Sequence, residues 1–134
     1  MKGCYRVKRK QILLTVIVVI SWNLTGHAGE SIDANIDKGL KVIWTSMLAR
    51  LSAGDIEGAV GYFTYSSRLK YKEEFTLAKD KLPEISTKMG NIEPVYIKDD
   101  DAKYRVRIRD EDNEYTHYIW FRKDIFGRWM IDKF

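Results

Sequence analysis

The sequence is poor in the residues that usually build disulfides, metal sites and nucleophilic sites. Its 134 residues include one cysteine, two histidines and two prolines. The single cysteine, Cys4, has no partner for a disulfide within the chain, and it lies in an N-terminal segment that we expect to be removed. His117 would then be the only histidine left, which is too few for a two-histidine metal site. We therefore predict no metal and no cofactor.

Residues 1–28 have the pattern of a signal peptide. The first ten residues carry five basic side chains and no acid, and Ile12–Ile20 is apolar apart from one threonine. Small residues then precede a predicted cleavage site after Ala28, so the exported protein would begin at Gly29. The alternative is a retained membrane anchor, since Ile12–Leu24 is mostly apolar, but a spanning helix needs about 20 such residues. We predict a periplasmic or extracellular protein that contacts a membrane only through an uncleaved signal.

Removing this segment changes the charge of the protein. The whole chain has a formal charge of +4, but residues 1–28 hold five of its 23 Lys and Arg and none of its 19 Asp and Glu. Residues 29–134 are left with 18 basic and 19 acidic side chains, a formal charge of −1. The basicity belongs to the signal, so net charge gives no support to nucleic-acid binding.

The first half of residues 29–134 has helical periodicity, with apolar side chains at steps of three and four. Ser31 is predicted to cap the first helix, and Pro83 suits the first turn of the last one. The predicted helices are Ile32–Leu51, Asp55–Phe63, one that starts near Ser66 or Ser67, and Pro83–Met89.

Beyond Gly90 the apolar residues alternate with polar ones, which indicates β-strands. The connecting turns are short, so successive strands pair as an antiparallel meander. The predicted strands are Ile92–Lys98, Ala102–Arg109, Tyr115–Arg122 and Trp129–Phe134. The fold class is therefore α+β, a single domain over residues 29–134 with N-terminal helices packed on a curved four-stranded antiparallel sheet.

Several positions together resemble the nuclear transport factor 2-like superfamily, which includes ketosteroid isomerase. They are Trp44 in the first helix, the turn through Gly54–Ala59, Tyr62-Phe63, and a last strand that reads Gly127, Trp129, Ile131 and Phe134. The resemblance covers essentially all of residues 31–134. It implies a cone in which the curved sheet wraps the long helix and leaves a pocket at the open end.

The resemblance implies a pocket but not its use, because the superfamily contains both enzymes and binding modules. We expect a non-catalytic binding or interaction module for a small apolar ligand or a protein partner. The resemblance also suggests a homodimer formed through the sheet. Aromatic residues are the expected ligand contacts, since a buried tyrosine needs a partner for its hydroxyl: Tyr62, Tyr71, Tyr104, Tyr118 and Trp120.

The alternative is a cofactor-free isomerase or hydrolase-like enzyme that acts in the cone. His117 and Asp132 are the candidate bases, with a tyrosine as the hydrogen-bond donor. Most other acids lie in turns, where exposure to water leaves the pKa of a carboxylate at its ordinary value. This alternative requires two such side chains to converge within hydrogen-bond reach.

The sharpest charge feature is an alternating series on the second strand, Lys103, Arg105, Arg107 and Arg109. One interpretation is a docking strip for an anionic ligand, although this face of the strand has no interleaved aromatic residues of the kind that single-stranded nucleic acid favours. The favoured interpretation is a solvated sheet face whose cations pair across strands with Glu93, Glu114 or the acidic turns.

Overall fold

The computed structural model describes residues 32–134, which form one compact unit. The predicted signal peptide, its cleavage site between Ala28 and Gly29, and Ser31 lie outside these residues. Four α-helices precede four β-strands, so the predicted α+β class with a four-stranded antiparallel sheet is confirmed. Within residues 32–134, no helix combines the length and the apolar character needed to cross a bilayer.

Helix α1 (Ala34–Ser52) is the longest helix, and one side of it is dry. Asp33 caps its start by accepting hydrogen bonds from the amides of Asn35 (2.9 Å) and Ile36 (3.2 Å), so the cap is two residues later than the predicted Ser31. Gly54 follows the helix with a φ of +75°, a conformation that favours glycine. The buried side chains are Leu40, Trp44, Met47, Leu48 and Leu51.

Helix α2 (Ile56–Val60) is shorter than the predicted Asp55–Phe63. The carboxylate of Asp55 caps it by accepting from the Gly58 amide at 2.9 Å, and a Cβ on Gly58 would lie 2.2 Å from that carboxylate. The helix ends because Phe63 pairs instead with Ile131 of the sheet in a parallel β-bridge. That tertiary hydrogen bonding removes the last turn of the predicted helix.

Two further helices complete the helical layer. Helix α3 (Arg68–Leu77) and helix α4 (Leu82–Lys88) are each preceded by one turn of 3₁₀ helix, at Tyr65–Ser67 and Lys79–Lys81. Pro83 lies in the first turn of α4, where its missing amide hydrogen costs no helical bond.

The sheet has the simplest possible topology, with its strands in chain order. They are β1 (Ile92–Lys98), β2 (Asp101–Asp110), β3 (Asn113–Lys123) and β4 (Trp129–Lys133), and every neighbouring pair is antiparallel. The register shifts within β1 between Pro94 and Tyr96, and again where β4 passes Trp120 and Phe121. Such irregularities bend strands and strengthen the twist of a sheet.

The core lies between the helices and one face of this sheet, which we call the inner face. Aromatic rings fill one end of it: Tyr71 stacks on Phe134 with ring centroids 5.1 Å apart, and Trp44 meets Phe134 edge-on at 5.2 Å. The indole of Trp44 also donates to the main-chain oxygen of Met89 at 2.8 Å. The hydroxyl of Tyr71 accepts from the amide of Phe134 (2.8 Å) and donates to its main-chain oxygen (3.1 Å), so it holds the end of β4 to helix α3.

Candidate binding surface

The register of the sheet determines which side chains meet on its other side, the outer face. Residues directly opposite each other on paired strands point to the same side of a sheet. Tyr96 is opposite Lys103, Lys103 is opposite Trp120, and Trp120 is opposite Lys133. One residue from each strand therefore forms a line across the outer face, which we call the aromatic–lysine row. With strands about 4.8 Å apart, the row is about 14 Å long.

The lysines of this row lie against the ring of Trp120 and against the ring of Tyr118, which is beside the row on β3. The Nζ atom of Lys103 is 4.0 Å from the ring centroid of Tyr118 and 5.1 Å from that of Trp120. The Nζ atom of Lys133 is 4.7 Å from the centroid of the Trp120 ring. The ring centroids of Tyr118 and Trp120 are 5.9 Å apart. These separations are within the range of cation–π attraction. Two of the five predicted ligand contacts, Tyr118 and Trp120, are thus brought together on the outer face.

The surface is open to water and is not part of the core. Tyr118 is 41% exposed, while Tyr96, Lys103 and Trp120 are half-buried and Lys133 is exposed. The hydroxyl of Tyr96 donates to the carboxylate of Asp101 at 3.2 Å. Burial, with help from Asp101, raises the pKa of the Tyr96 phenol above its usual value.

The predicted pairing of the cation series is confirmed for its three arginines. Arg105 and Arg107 share Glu93, at 2.8 and 3.7 Å, and Arg109 pairs with Glu114 at 3.1 Å. The hydrogen bond from Arg105, reinforced by the charge of Arg107, lowers the pKa of Glu93. These pairs are exposed, so each contributes little to stability.

Lys103 and Lys133 differ from the arginines. Across residues 32–134, neither ammonium group has a carboxylate oxygen within 4.0 Å. Tyr118 and Trp120 provide the aromatic neighbours that the outward-facing positions of β2 lack, because strand pairing places β3 beside it. The expectation that this face has no aromatics among its cations was therefore wrong.

The two candidate bases lie on different sides of the sheet. His117 is opposite Val106, whose side chain is buried on the inner face, but His117 itself is exposed. Asp132 accepts a hydrogen bond from the hydroxyl of Thr64 at 3.2 Å, and its other oxygen lies 3.8 Å from Arg122. Nothing in this geometry joins His117 to Asp132, so the two do not form an acid–base pair.

The remaining predicted ligand contacts serve the core. Tyr71 is held by Phe134, and Tyr62 uses its main-chain oxygen to accept from the amide of Ile131 at 2.8 Å. Tyr104 is fully buried, and its hydroxyl donates to Asp37 of helix α1 at 2.8 Å. Burial and this carboxylate raise the pKa of the Tyr104 phenol far above its usual value, so it is neutral throughout the physiological range.

Three surface grooves lie on the helical side of the molecule. One of about 270 Å³ runs between α1 and α4, and the buried hydroxyl of Ser86, which has no partner among the described residues, lines it. Two others, of about 440 and 540 Å³, share Leu69 and Lys72 of α3. None of these three grooves contains a predicted ligand contact. Residues 32–134 also contain no cluster of three His, Cys, Asp or Glu that could hold a metal ion.

Comparisons with known proteins identify no relative. No protein-family model matches the sequence, and neither a curated protein nor a solved structure is significantly similar to the chain. The function must therefore be argued from the geometry of the chain itself.

Sequence reasoning missed Tyr96 and Lys133 as members of the surface. Alternation along single strands identifies which residues share a side, but not which strand positions are opposite each other. The register shifts in the pairing of β1 and β4 decide that Tyr96 and Lys133 stand in line with Lys103 and Trp120.

Proposed function

We propose that this protein is an exported, non-catalytic interaction module of the nuclear transport factor 2-like kind, which binds a partner through the outer face of its sheet. The observation that supports this most directly is the aromatic–lysine row. This row combines half-buried aromatic rings with lysines that have no carboxylate partner in residues 32–134. The core is formed by the inner face, so it does not require these side chains.

The composition of the outer face supports binding rather than solvation alone. Protein interfaces are enriched in Tyr, Trp and Arg, and residues of these types contribute most of the energy of binding. Trp120, Tyr118 and Tyr96 lie together with Arg105 and Arg107 on a single face. A sheet face that only met water would expose polar side chains and few large rings.

The order of the elements supports the family resemblance that the proposal includes. Helices before a four-stranded meander, with Trp44 and Phe134 in contact at one end of the core, agree with the resemblance seen in the sequence.

Export rests on the pattern of residues 1–28. Sequencing the N-terminus of the secreted protein tests it, with Gly29 as the expected first residue and Met1 as the result that would contradict cleavage.

Photo-crosslinking in the native cell tests the binding surface. Tyr118 is replaced by the photoreactive analogue benzoylphenylalanine, which keeps an aromatic ring at the site. The matched control is the same analogue at Val42, which is 55% exposed on helix α1. We expect a discrete crosslinked species from position 118 and none from position 42. A protein that crosslinks from neither position, or only from position 42, would refute an interaction through this face.

A further inference from the structure

Two positive charges meet at one ring on the outer face. Lys103 and Lys133 both place their Nζ atoms within about 5 Å of the centroid of Trp120, so the two atoms are no more than about 10 Å apart. Like charges at this separation repel, and a negative group that lies between them would be attracted to both.

The surroundings of Trp120 add positive charge. Arg105 and Arg107 share the single carboxylate of Glu93, which leaves this trio with a positive balance. Arg105 is opposite Tyr118, directly beside the aromatic–lysine row. The site therefore combines aromatic surface with more cations than anions, although residues 29–134 carry a formal charge of −1.

This charge distribution decides between the possible occupants. In a symmetric dimer formed at the centre of the row, the lysines of both copies would come together, and their repulsion disfavours that arrangement. Single-stranded nucleic acid binds by stacking bases on ring faces, but Lys103 and Lys133 already lie over the rings of Tyr118 and Trp120. An acidic protein segment can bind without access to the ring faces, because it needs to contact only the ammonium groups and the edges of the rings.

We infer that the aromatic–lysine row binds an acidic segment of another protein, with a carboxylate between Lys103 and Lys133 and an apolar side chain of that segment against Trp120. This inference rests on the proposed function, because it names the chemistry of the partner that the outer face binds. Charge complementarity of this kind gives an interaction its specificity and makes it sensitive to salt.

Fluorescence anisotropy with defined probes tests the inference on the exported protein. The probes are a fluorescein-labelled peptide of Glu-Phe repeats, the same peptide with Gln in place of Glu, and a labelled oligothymidine. The double variant Lys103→Gln, Lys133→Gln is compared with Lys38→Gln, Lys79→Gln, which removes the same charge from exposed helical positions. Thermal unfolding confirms that both variants keep the fold.

We expect the Glu-Phe peptide to bind at least about tenfold more tightly than the Gln-Phe peptide, and the outer-face variant to lose about tenfold in affinity. The helical control should bind as the unmodified protein does, and raising salt from about 0.05 M to about 0.5 M should weaken binding. Equal binding of both peptides, or unchanged binding by the outer-face variant, would overturn the inference. Tight binding of oligothymidine through the same lysines would also overturn it, in favour of a phosphate polymer.

The crosslinking experiment separates this inference from the proposed function. If the Glu-Phe peptide does not bind but position 118 still crosslinks, the outer face is an interaction surface whose partner has a different chemistry. A crosslink to a second copy of the chain would show that the partner is the protein itself. That result would overturn the inference that the row binds an acidic segment of another protein. If position 118 also fails to crosslink, the proposed function falls together with the inference.

Discussion

On the inner face of the sheet the fully buried aromatic rings pack against one another, whereas on the outer face the rings of Tyr118 and Trp120 also contact lysines. Phe121 and Trp120 are consecutive residues of β3 that illustrate both environments. Phe121 is fully buried and meets the ring of Tyr104 edge-on, with centroids 5.4 Å apart. Trp120 is half-buried and lies against the Nζ atoms of Lys103 and Lys133.

The contrast shows that ring content alone does not locate a site. The inner rings are held by packing and by specific hydrogen bonds, such as the two that join Tyr71 to Phe134. The outer rings of Tyr118 and Trp120 have lysine ammonium groups against them, whereas the fully buried ring of Phe121 meets the ring of Tyr104. We therefore expect substitutions on the inner face to change stability, and those on the outer face to change binding.

The largest difference should come from alanine substitution of the two neighbours. Phe121→Ala should lower the free energy of unfolding by about 3 to 5 kcal/mol, because it removes a buried ring and leaves a cavity. Trp120→Ala should lower it by only about 1 kcal/mol, since much of its ring is already in contact with water. Urea denaturation of both variants measures the two losses. Similar losses would show that the outer face is part of the core.

The hydroxyl of Tyr71 should have the next largest effect. Tyr71→Phe keeps the stacked ring but removes both hydrogen bonds to Phe134, and we expect a loss of about 1 to 3 kcal/mol. Tyr65→Phe is the matched control, because Tyr65 is 89% exposed. Thermal unfolding compares the two. A loss in the control equal to that at Tyr71 would contradict this role of the hydroxyl.

Lys103→Gln tests the contrast between the two faces with a substitution on the outer face. It removes a cation from the rings of Tyr118 and Trp120, so stability should fall by no more than about 1 kcal/mol. Lys38→Gln serves as the control on helix α1. Urea denaturation gives both values, and a loss of several kcal/mol at Lys103 would mean that the lysine supports the fold and not primarily binding.

Glu93→Gln should have the smallest effect, and that effect should depend on pH. The pKa of Glu93 is lowered in the folded protein, so its contribution is complete above the ordinary glutamate value of about 4.3 and is lost as the pH falls through the folded value. The variant should be slightly less stable than the unmodified protein near neutral pH, and the difference should vanish in acid.

Unfolding curves at a series of pH values test this prediction, with Glu73→Gln, an exposed helical residue, as the control. A difference between Glu93→Gln and the unmodified protein that stays constant down to about pH 3 would show that the arginines do not shift the pKa of Glu93.

Much of the fold is predictable because its signals are local. The apolar stripe of α1, the alternation of β2 and the short turns of the meander each lie within a few consecutive residues, and helix and strand periods follow from backbone geometry. The errors occur where distant residues compete with a local preference. Helix α2 loses its predicted last turn because the residues on either side of Phe63 hydrogen-bond to Ile131, which is remote in the chain: the Thr64 amide donates to the Ile131 main-chain oxygen, and the Tyr62 main-chain oxygen accepts from the Ile131 amide.

By itself, the sequence determines the α+β order of the elements, the buried side of each one and the excess of cations on β2. Only the tertiary structure decides that Tyr71 binds Phe134, that Tyr104 binds Asp37, and that Trp120 lies between two lysines. Periodicity assigns a residue to a face, but the partner of that residue is set by strand register and by contacts between residues far apart in the chain. The binding surface depends on those partners, so it becomes visible only in the folded protein.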